Sequence, residues 1–89
     1  MGRIEDAVER IKALECPTGD VENRVERMLE DYGVVNRDKI TVMRDKSLDR
    51  DGAEAYCAKI TGSGGQSVVI LTKSGMDDYV AKVVDAYID

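Results

Sequence analysis

The chain has 89 residues, enough for one globular domain, and we expect residues 1–89 to form a single unit. A domain of this size buries only about 60–65% of its unfolded surface, which leaves little room for a deep substrate cavity. Its net charge of −5 disfavours nucleic acid or an anionic membrane surface as the main partner. The absence of histidine removes the commonest acid–base group and metal ligand.

The N-terminal third of the chain is predicted to form a helical hairpin. Apolar residues recur at helical spacing and predict a first helix over residues 3–15, which Pro17 ends. A second apolar stripe predicts a helix over residues 21–32, with Gly33 at the position of a left-handed C-cap. Because the turn between the two helices is short, they are expected to be antiparallel neighbours.

Two segments in the middle of the chain are predicted strands. Residues 39–43 alternate between apolar and polar side chains and are rich in β-branched residues. Residues 67–72 form a continuous apolar run, which is typical of a strand that is covered on both faces.

Residues 53–61, between these two strands, fit either of two structures. As a strand, they would be followed by a hairpin turn over the glycine-rich residues 61–66. As a helix, they would be capped by Asp51, with Glu54 completing a capping box. We favour the strand, because a glycine-rich turn between apolar runs is the stronger local signal.

The last part of the chain is predicted to be a helix that begins at Ser74, with Asp77 at the reciprocal capping position. Its apolar residues repeat at intervals of three and four, which is the helical period. They are Tyr79, Val80, Val83, Val84, Tyr87 and Ile88.

Together these elements predict a two-layer α+β domain. It would consist of the N-terminal helical hairpin, a small three-stranded antiparallel sheet and the C-terminal helix. The alternative is a βαβ unit in which residues 52–61 are helical. The expected buried face comprises Ile11, Leu29, Val42, Val69, Ile70, Val80 and Val84.

The one concentrated polar cluster is residues 45–54, here called the acidic loop. Its carboxylates are candidate ligands of a calcium ion, which prefers several hard oxygens on one loop: Asp45, Asp49, Asp51 and Glu54. If Gly52 takes the sixth position of an EF-hand loop, Ala58 stands where a bidentate glutamate is needed. Lys46 and Arg50 also offset the negative charge. The loop therefore predicts a weak, irregular cation site at most, and a solvated, self-paired loop is favoured.

Other possible catalytic or binding motifs lack the neighbouring residues and elements that their chemistry requires. The glycine-rich residues 61–65 are followed by a strand, not by the helix and Lys-Ser pair of a P-loop. Cys16 and Cys57 have no histidine to activate them as nucleophiles. Their spacing allows one disulfide, but buried free thiols are favoured. No catalytic residue is assigned, and no enzymatic activity is expected.

The preferred functional hypothesis is a small, acidic, non-catalytic domain that binds or regulates another protein. The alternative is a weak calcium-binding protein that uses the acidic loop, with calcium as its sole cofactor. Basic groups in residues 37–50 are interleaved with carboxylates, so nucleic acid is not expected as a partner. The sequence shows no apolar leader and no membrane-length run, which predicts a soluble cytoplasmic protein without a membrane partner.

Overall fold

The computed structural model describes residues 3–31, 40–61, 66–74 and 79–89. Within these ranges it contains two α-helices and five β-strands. The helices are α1 (Arg3–Ile11) and α2 (Val21–Asp31). The strands are β1 (Glu15–Pro17), β2 (Ile40–Arg44), β3 (Glu54–Ile60), β4 (Ser67–Ser74) and β5 (Val80–Ile88). Single turns of 3₁₀ helix cover Thr18–Asp20 and Lys46–Leu48.

The five strands form one antiparallel sheet in the order β1-β5-β4-β3-β2, and the sheet is curled into a half-barrel. Strands β2 to β5 pair in the order in which they follow along the chain. Strand β1 joins the opposite edge, where Cys16 pairs with Ala81 of β5. The first and last strands of the chain are therefore neighbours, and this pairing brings α1 next to β5.

Apolar side chains fill both sides of the sheet. On one side, α1 packs against β5 and α2 packs mainly against β2. This side holds the main core, which includes Ile11, Val25, Leu29, Ile60, Val68 and Ile70. The other side carries a smaller buried cluster of Ala53, Ala55, Val69 and Leu71. In the described ranges, no helix has both the length and the apolar character needed to cross a membrane.

The predicted C-terminal helix is wrong, because residues 80–88 form strand β5. Leu71 pairs with Asp85 while Thr72 pairs with Val83, so that Val84 is an extra residue, a β-bulge. The buried side chains of β5 are Ala81, Val83 and Ala86, and the bulge widens the second interval from two residues to three. Of the six apolar residues whose spacing predicted a helix, Val83 alone is buried, so their helical period does not reflect a buried face. Ser74 ends β4, and Asp77 lies outside the described residues.

The predicted three-stranded sheet is also wrong, because five strands pair. The two helices of the predicted hairpin are present and pack against each other, but their connection differs from the expectation. Helix α1 ends at Ile11 rather than at residue 15, and β1 stands in the connection that was expected to be a simple turn. A strand of three residues has no recognisable local pattern, because it exists only through its pairing with β5. Lys39, Tyr32 and Gly33 lie outside the described residues.

The favoured interpretation of residues 53–61 is confirmed, because β3 is a strand that pairs antiparallel with β4. The alternative βαβ unit, with residues 52–61 helical, is therefore wrong. The Ile60 N–H donates to the Gln66 carbonyl at 3.0 Å, so the strands meet where a hairpin turn was predicted. Residues 62–65 of that turn lie outside the described residues.

The predicted buried face is confirmed in part. Five of its residues are buried: Ile11, Leu29, Val42, Val69 and Ile70. Val80 is only half-buried, and Val84 is 50% exposed because it stands at the bulge. Both errors fall on β5 and have the same cause, the assignment of that segment to a helix.

Candidate functional site

The acidic loop folds back on the sheet and ends in a tight turn. After the 3₁₀ turn Lys46–Leu48, Arg50 and Ala53 form an antiparallel bridge around Asp51 and Gly52. These two tip residues have φ of 51° and 81°. Left-handed backbone at both positions is typical of a type I′ turn, for which Asp-Gly is a preferred pair. Asp51 therefore occupies a backbone position that suits its residue type.

Asp49 ties the loop to the sheet through Arg44 of β2. Nη1 of Arg44 donates to Oδ1 of Asp49 at 2.6 Å, and Nη2 donates to Oδ2 at 2.9 Å. The N–H of Ala55 donates to the same Oδ1 at 2.8 Å, so this carboxylate substitutes for a main-chain acceptor at the start of β3. Arg44 Nη1 also donates to the Ala55 carbonyl at 3.0 Å, which closes the network.

This network shifts the pKa of both charged groups. The hydrogen bonds from Arg44 and then from the Ala55 N–H lower the pKa of Asp49 to about 2. The hydrogen bond to Asp49 raises the pKa of Arg44. A carboxylate with a lowered pKa stays ionised at neutral pH and is a poor general acid or base there. The most perturbed carboxylate of the loop is thus a structural anion.

The other candidate ligands have separate roles. Oδ1 of Asp45 accepts hydrogen bonds from the Ser47 N–H at 3.0 Å and the Ser47 hydroxyl at 2.5 Å, and so caps the 3₁₀ turn. Oε2 of Glu54 lies 3.8 Å from Nε of Arg44 and is largely exposed. Arg44 therefore brings Asp49 and Glu54 together, but no group of three or more acidic or cysteine side chains in the described part of the chain could hold a metal ion.

The underside of the acidic loop covers the second side of the sheet. Leu48 from the loop and Tyr87 from β5 pack against the buried cluster there. The guanidinium carbon of Arg50 lies 5.9 Å from the centre of the Tyr87 ring, within the range of a cation–π contact. The acidic loop therefore also covers apolar side chains of the sheet.

The cysteines are free and do not form a disulfide. Cys16 lies on β1 and Cys57 on β3, with β5 and β4 between them, so about three strand spacings, or 14 Å along the sheet, separate them. Burial raises the pKa of the Cys16 thiol, although the charge of Arg24 opposes this effect. The preference for buried free thiols is confirmed, and Cys16 has little of the thiolate character that a nucleophile requires.

An open groove of about 400 Å³ lies between α1 and the end of β5. We call it the α1–β5 groove, and its lining residues are Glu5, Asp6, Val8, Glu9, Lys12, Ala86, Tyr87 and Ile88. Val8 and Ala86 are buried and form its base, whereas Ile88 is 37% exposed at the mouth. A smaller concave region of about 220 Å³ beside α2 is polar and includes Arg24 and Arg27.

The wall that α1 contributes to the groove is acidic. Lys12 donates to Glu9 at 3.2 Å and balances one carboxylate. Glu5 and Asp6, one turn earlier, are exposed and form no salt bridge within the described ranges. The described part of the lining thus combines an apolar base with three carboxylates against one ammonium group, a net charge of −2.

Comparison of the chain with protein-family models, curated proteins and solved structures finds no match. Its function therefore has to be inferred from its own surface. Of that surface, the acidic side of α1 is visible in the sequence as carboxylates opposite an apolar stripe. The sequence interpretation missed Ala86 and Ile88 as groove residues, because it placed them on a helix rather than on a strand beside α1.

Proposed function

We propose that this chain is a small non-catalytic domain that binds another protein through the α1–β5 groove. The observation that carries the proposal is the composition of the groove, in which buried Val8 and Ala86 lie below a partly exposed Ile88. An open depression with an apolar base fits one or two side chains of a peptide, whereas small molecules favour sites that enclose most of their surface.

The remaining chemistry of the described residues supports a role in binding rather than catalysis. The carboxylate with the most perturbed pKa, Asp49, is held in a bidentate pair with Arg44. Both thiols are buried, and the pKa of Cys16 is raised. None of these groups lies in the groove, so the concave surface and the perturbed side chains do not combine into the arrangement that is typical of an active site.

The proposal is tested by selecting random displayed peptides of about 12 residues against the folded domain. The test variant is Ile88→Arg, which places a long charged side chain at the mouth of the groove. Val84→Arg is the matched control, because Val84 lies on the same strand, is 50% exposed and does not line the groove. Ile88→Arg is expected to reduce binding of the selected peptides by at least about tenfold, and Val84→Arg to leave it unchanged.

Two outcomes would contradict the proposal. One is the failure of the selection to enrich any peptide for the wild-type domain. The other is equal binding of the enriched peptides to the Ile88→Arg and Val84→Arg variants, since this would place the binding surface elsewhere. Circular dichroism of both variants verifies that each retains the fold.

A further inference from the structure

We infer that the α1–β5 groove recognises a basic segment of a partner protein, in which an aliphatic or aromatic residue is flanked by lysine or arginine. This inference rests on the proposed function and adds the chemical class of the partner. It combines two features of the same groove: its apolar base, which accepts a hydrophobic side chain, and its acidic wall, which accepts cations on either side of that side chain.

Two of the three carboxylates of the acidic wall have no salt-bridge partner among the described residues. Glu5 and Asp6 are exposed on the first turn of α1, and the described part of the protein supplies neither with a salt bridge. Glu9 continues this wall one turn later, although Lys12 pairs with it at 3.2 Å. Two carboxylates are thus open to a cationic ligand, and a third becomes open if Lys12 is displaced or removed.

The same charges disfavour other occupants. A nucleic acid or an anionic headgroup would meet net negative charge at the rim, and Lys12 is the one basic side chain among the described residues that line the groove. A second copy of this chain is also disfavoured, because each copy carries a net charge of −5. A small polyamine could satisfy the carboxylates but would leave Val8, Ala86 and Ile88 without an apolar partner.

The composition of the selected peptides tests the inference separately from the proposed function. Peptides that bind the wild-type domain and fail to bind Ile88→Arg are expected to contain a hydrophobic residue between lysines or arginines. Groove-dependent peptides that are neutral or acidic would overturn the inference and leave the proposed function standing. Absence of any groove-dependent peptide would overturn both.

Charge reversal gives a second test with the enriched peptides as probes. The double variant Glu5→Lys with Asp6→Lys is expected to weaken binding by at least about tenfold, and the neutral variant Glu5→Gln with Asp6→Asn by about two- to fivefold. The matched control is Glu22→Lys with Glu30→Lys, which makes the same change in net charge on exposed positions of α2. Equal affinities for the reversed variant and its control would overturn the inference.

A third test predicts tighter binding, which misfolding of a variant cannot produce. Lys12→Gln removes the cation that pairs with Glu9 and is expected to tighten binding of the basic peptides by about two- to fivefold. Raising sodium chloride from about 50 to about 500 mM is expected to weaken their binding at least about fivefold. Two results would each overturn the inference: unchanged or weaker peptide binding by Lys12→Gln, and peptide binding that does not depend on salt. A groove that binds spermidine but none of the basic peptides would also overturn it.

Discussion

Arg44 and Asp49 show how two side chains can decide the path of a loop. Asp49 is 37% exposed in its side chain, yet it accepts three hydrogen bonds, two from Arg44 and one from the Ala55 N–H. Charge-assisted bidentate pairs of this kind combine attraction with a defined geometry. Because the folded state lowers the pKa of Asp49 to about 2, from an ordinary value of 3.8, it binds this proton less readily than the unfolded chain does.

We predict that Asp49→Asn changes the dependence of stability on pH. In the wild type, the contribution of Asp49 is fully present above about pH 4 and is lost as the pH falls towards about 2, since protonation breaks the pair with Arg44. The free energy of unfolding of Asp49→Asn should be lower at neutral pH and should fall less steeply across this window. Denaturant titrations at pH 2 to 5 measure the difference.

Asp51→Asn is the matched control, because it removes a carboxylate from the same loop and asparagine tolerates the left-handed backbone of this position. It leaves the pair of Arg44 with Asp49 in place, so the loss of stability that depends on this pair should remain. Parallel profiles for Asp49→Asn and the wild type would contradict the prediction.

The calcium alternative leads to a second prediction for the same residues. A calcium ion at the acidic loop would have to compete with Arg44 for Asp49 and Glu54, and with Ser47 for Asp45. We therefore expect calcium binding no tighter than about 1 mM, the weak end of natural calcium sites. Amide chemical shifts of residues 45–54 during a calcium titration measure this affinity, with Asp49→Asn plus Asp51→Asn as the control. Saturation at micromolar calcium would contradict the expectation.

Strand β5 and the acidic loop both contain an irregular backbone geometry, but their local sequences specify it to different degrees. In β5, the bulge at Val84 lets Val83 and Ala86 both point into the main core although three positions separate them. In the acidic loop, Asp51 and Gly52 occupy left-handed backbone, which glycine adopts without steric penalty. The turn is encoded locally, whereas the bulge depends on how β4 and β5 align.

We predict that Gly52→Ala destabilises the protein by about 1–2 kcal/mol, the steric cost of a side chain in the left-handed region. A Cβ atom at Gly52 would have no other atom within 4 Å, so the cost comes from the backbone and not from a clash. Gly19→Ala is the control, because it too has open space and lacks a positive φ. It should change stability by no more than about 0.5–1 kcal/mol, or increase it. Equal effects in denaturant unfolding would contradict this explanation.

At the scale of the whole molecule, the sheet is buried on both sides by different means. Two helices cover one side, and the acidic loop with Tyr87 covers the other. Strand β4 is central to both sides, which explains why residues 68–72 are all buried. A domain of this size has a free energy of unfolding of roughly 4–13 kcal/mol. The loss of one central side chain therefore removes a large share of this free energy.

We predict that Ile70→Ala lowers the free energy of unfolding by about 2–5 kcal/mol, because it leaves a cavity in the main core. Met43→Ala is the control at a strand position that is 52% exposed, where the loss should stay within about 0.5 kcal/mol. Urea denaturation followed by circular dichroism measures both variants. A loss below about 1 kcal/mol for Ile70→Ala would show that the centre of the main core lies elsewhere.

Local patterns allowed a correct prediction of most elements. Strands β2 and β4 follow from β-branched and apolar runs, and both helices follow from amphipathic spacing. The candidate site was only half predictable. The carboxylates of α1 can be read from its helical pattern, but the apolar side of the groove requires knowing that β5 lies beside α1.

The amino-acid sequence by itself determined the two helices, strands β2 and β4 and the turn at Asp51-Gly52, because each depends on contacts and conformations within a few residues. For β3 it favoured a strand but left a helix open. Only the tertiary structure decided β1, β5, the bulge and the pairing of Arg44 with Asp49. The two strands depend on pairing between the two ends of the chain. The ion pair depends on the loop folding back onto β2. The physical reason is the same in each case: the stabilising partner lies beyond the range of any local pattern.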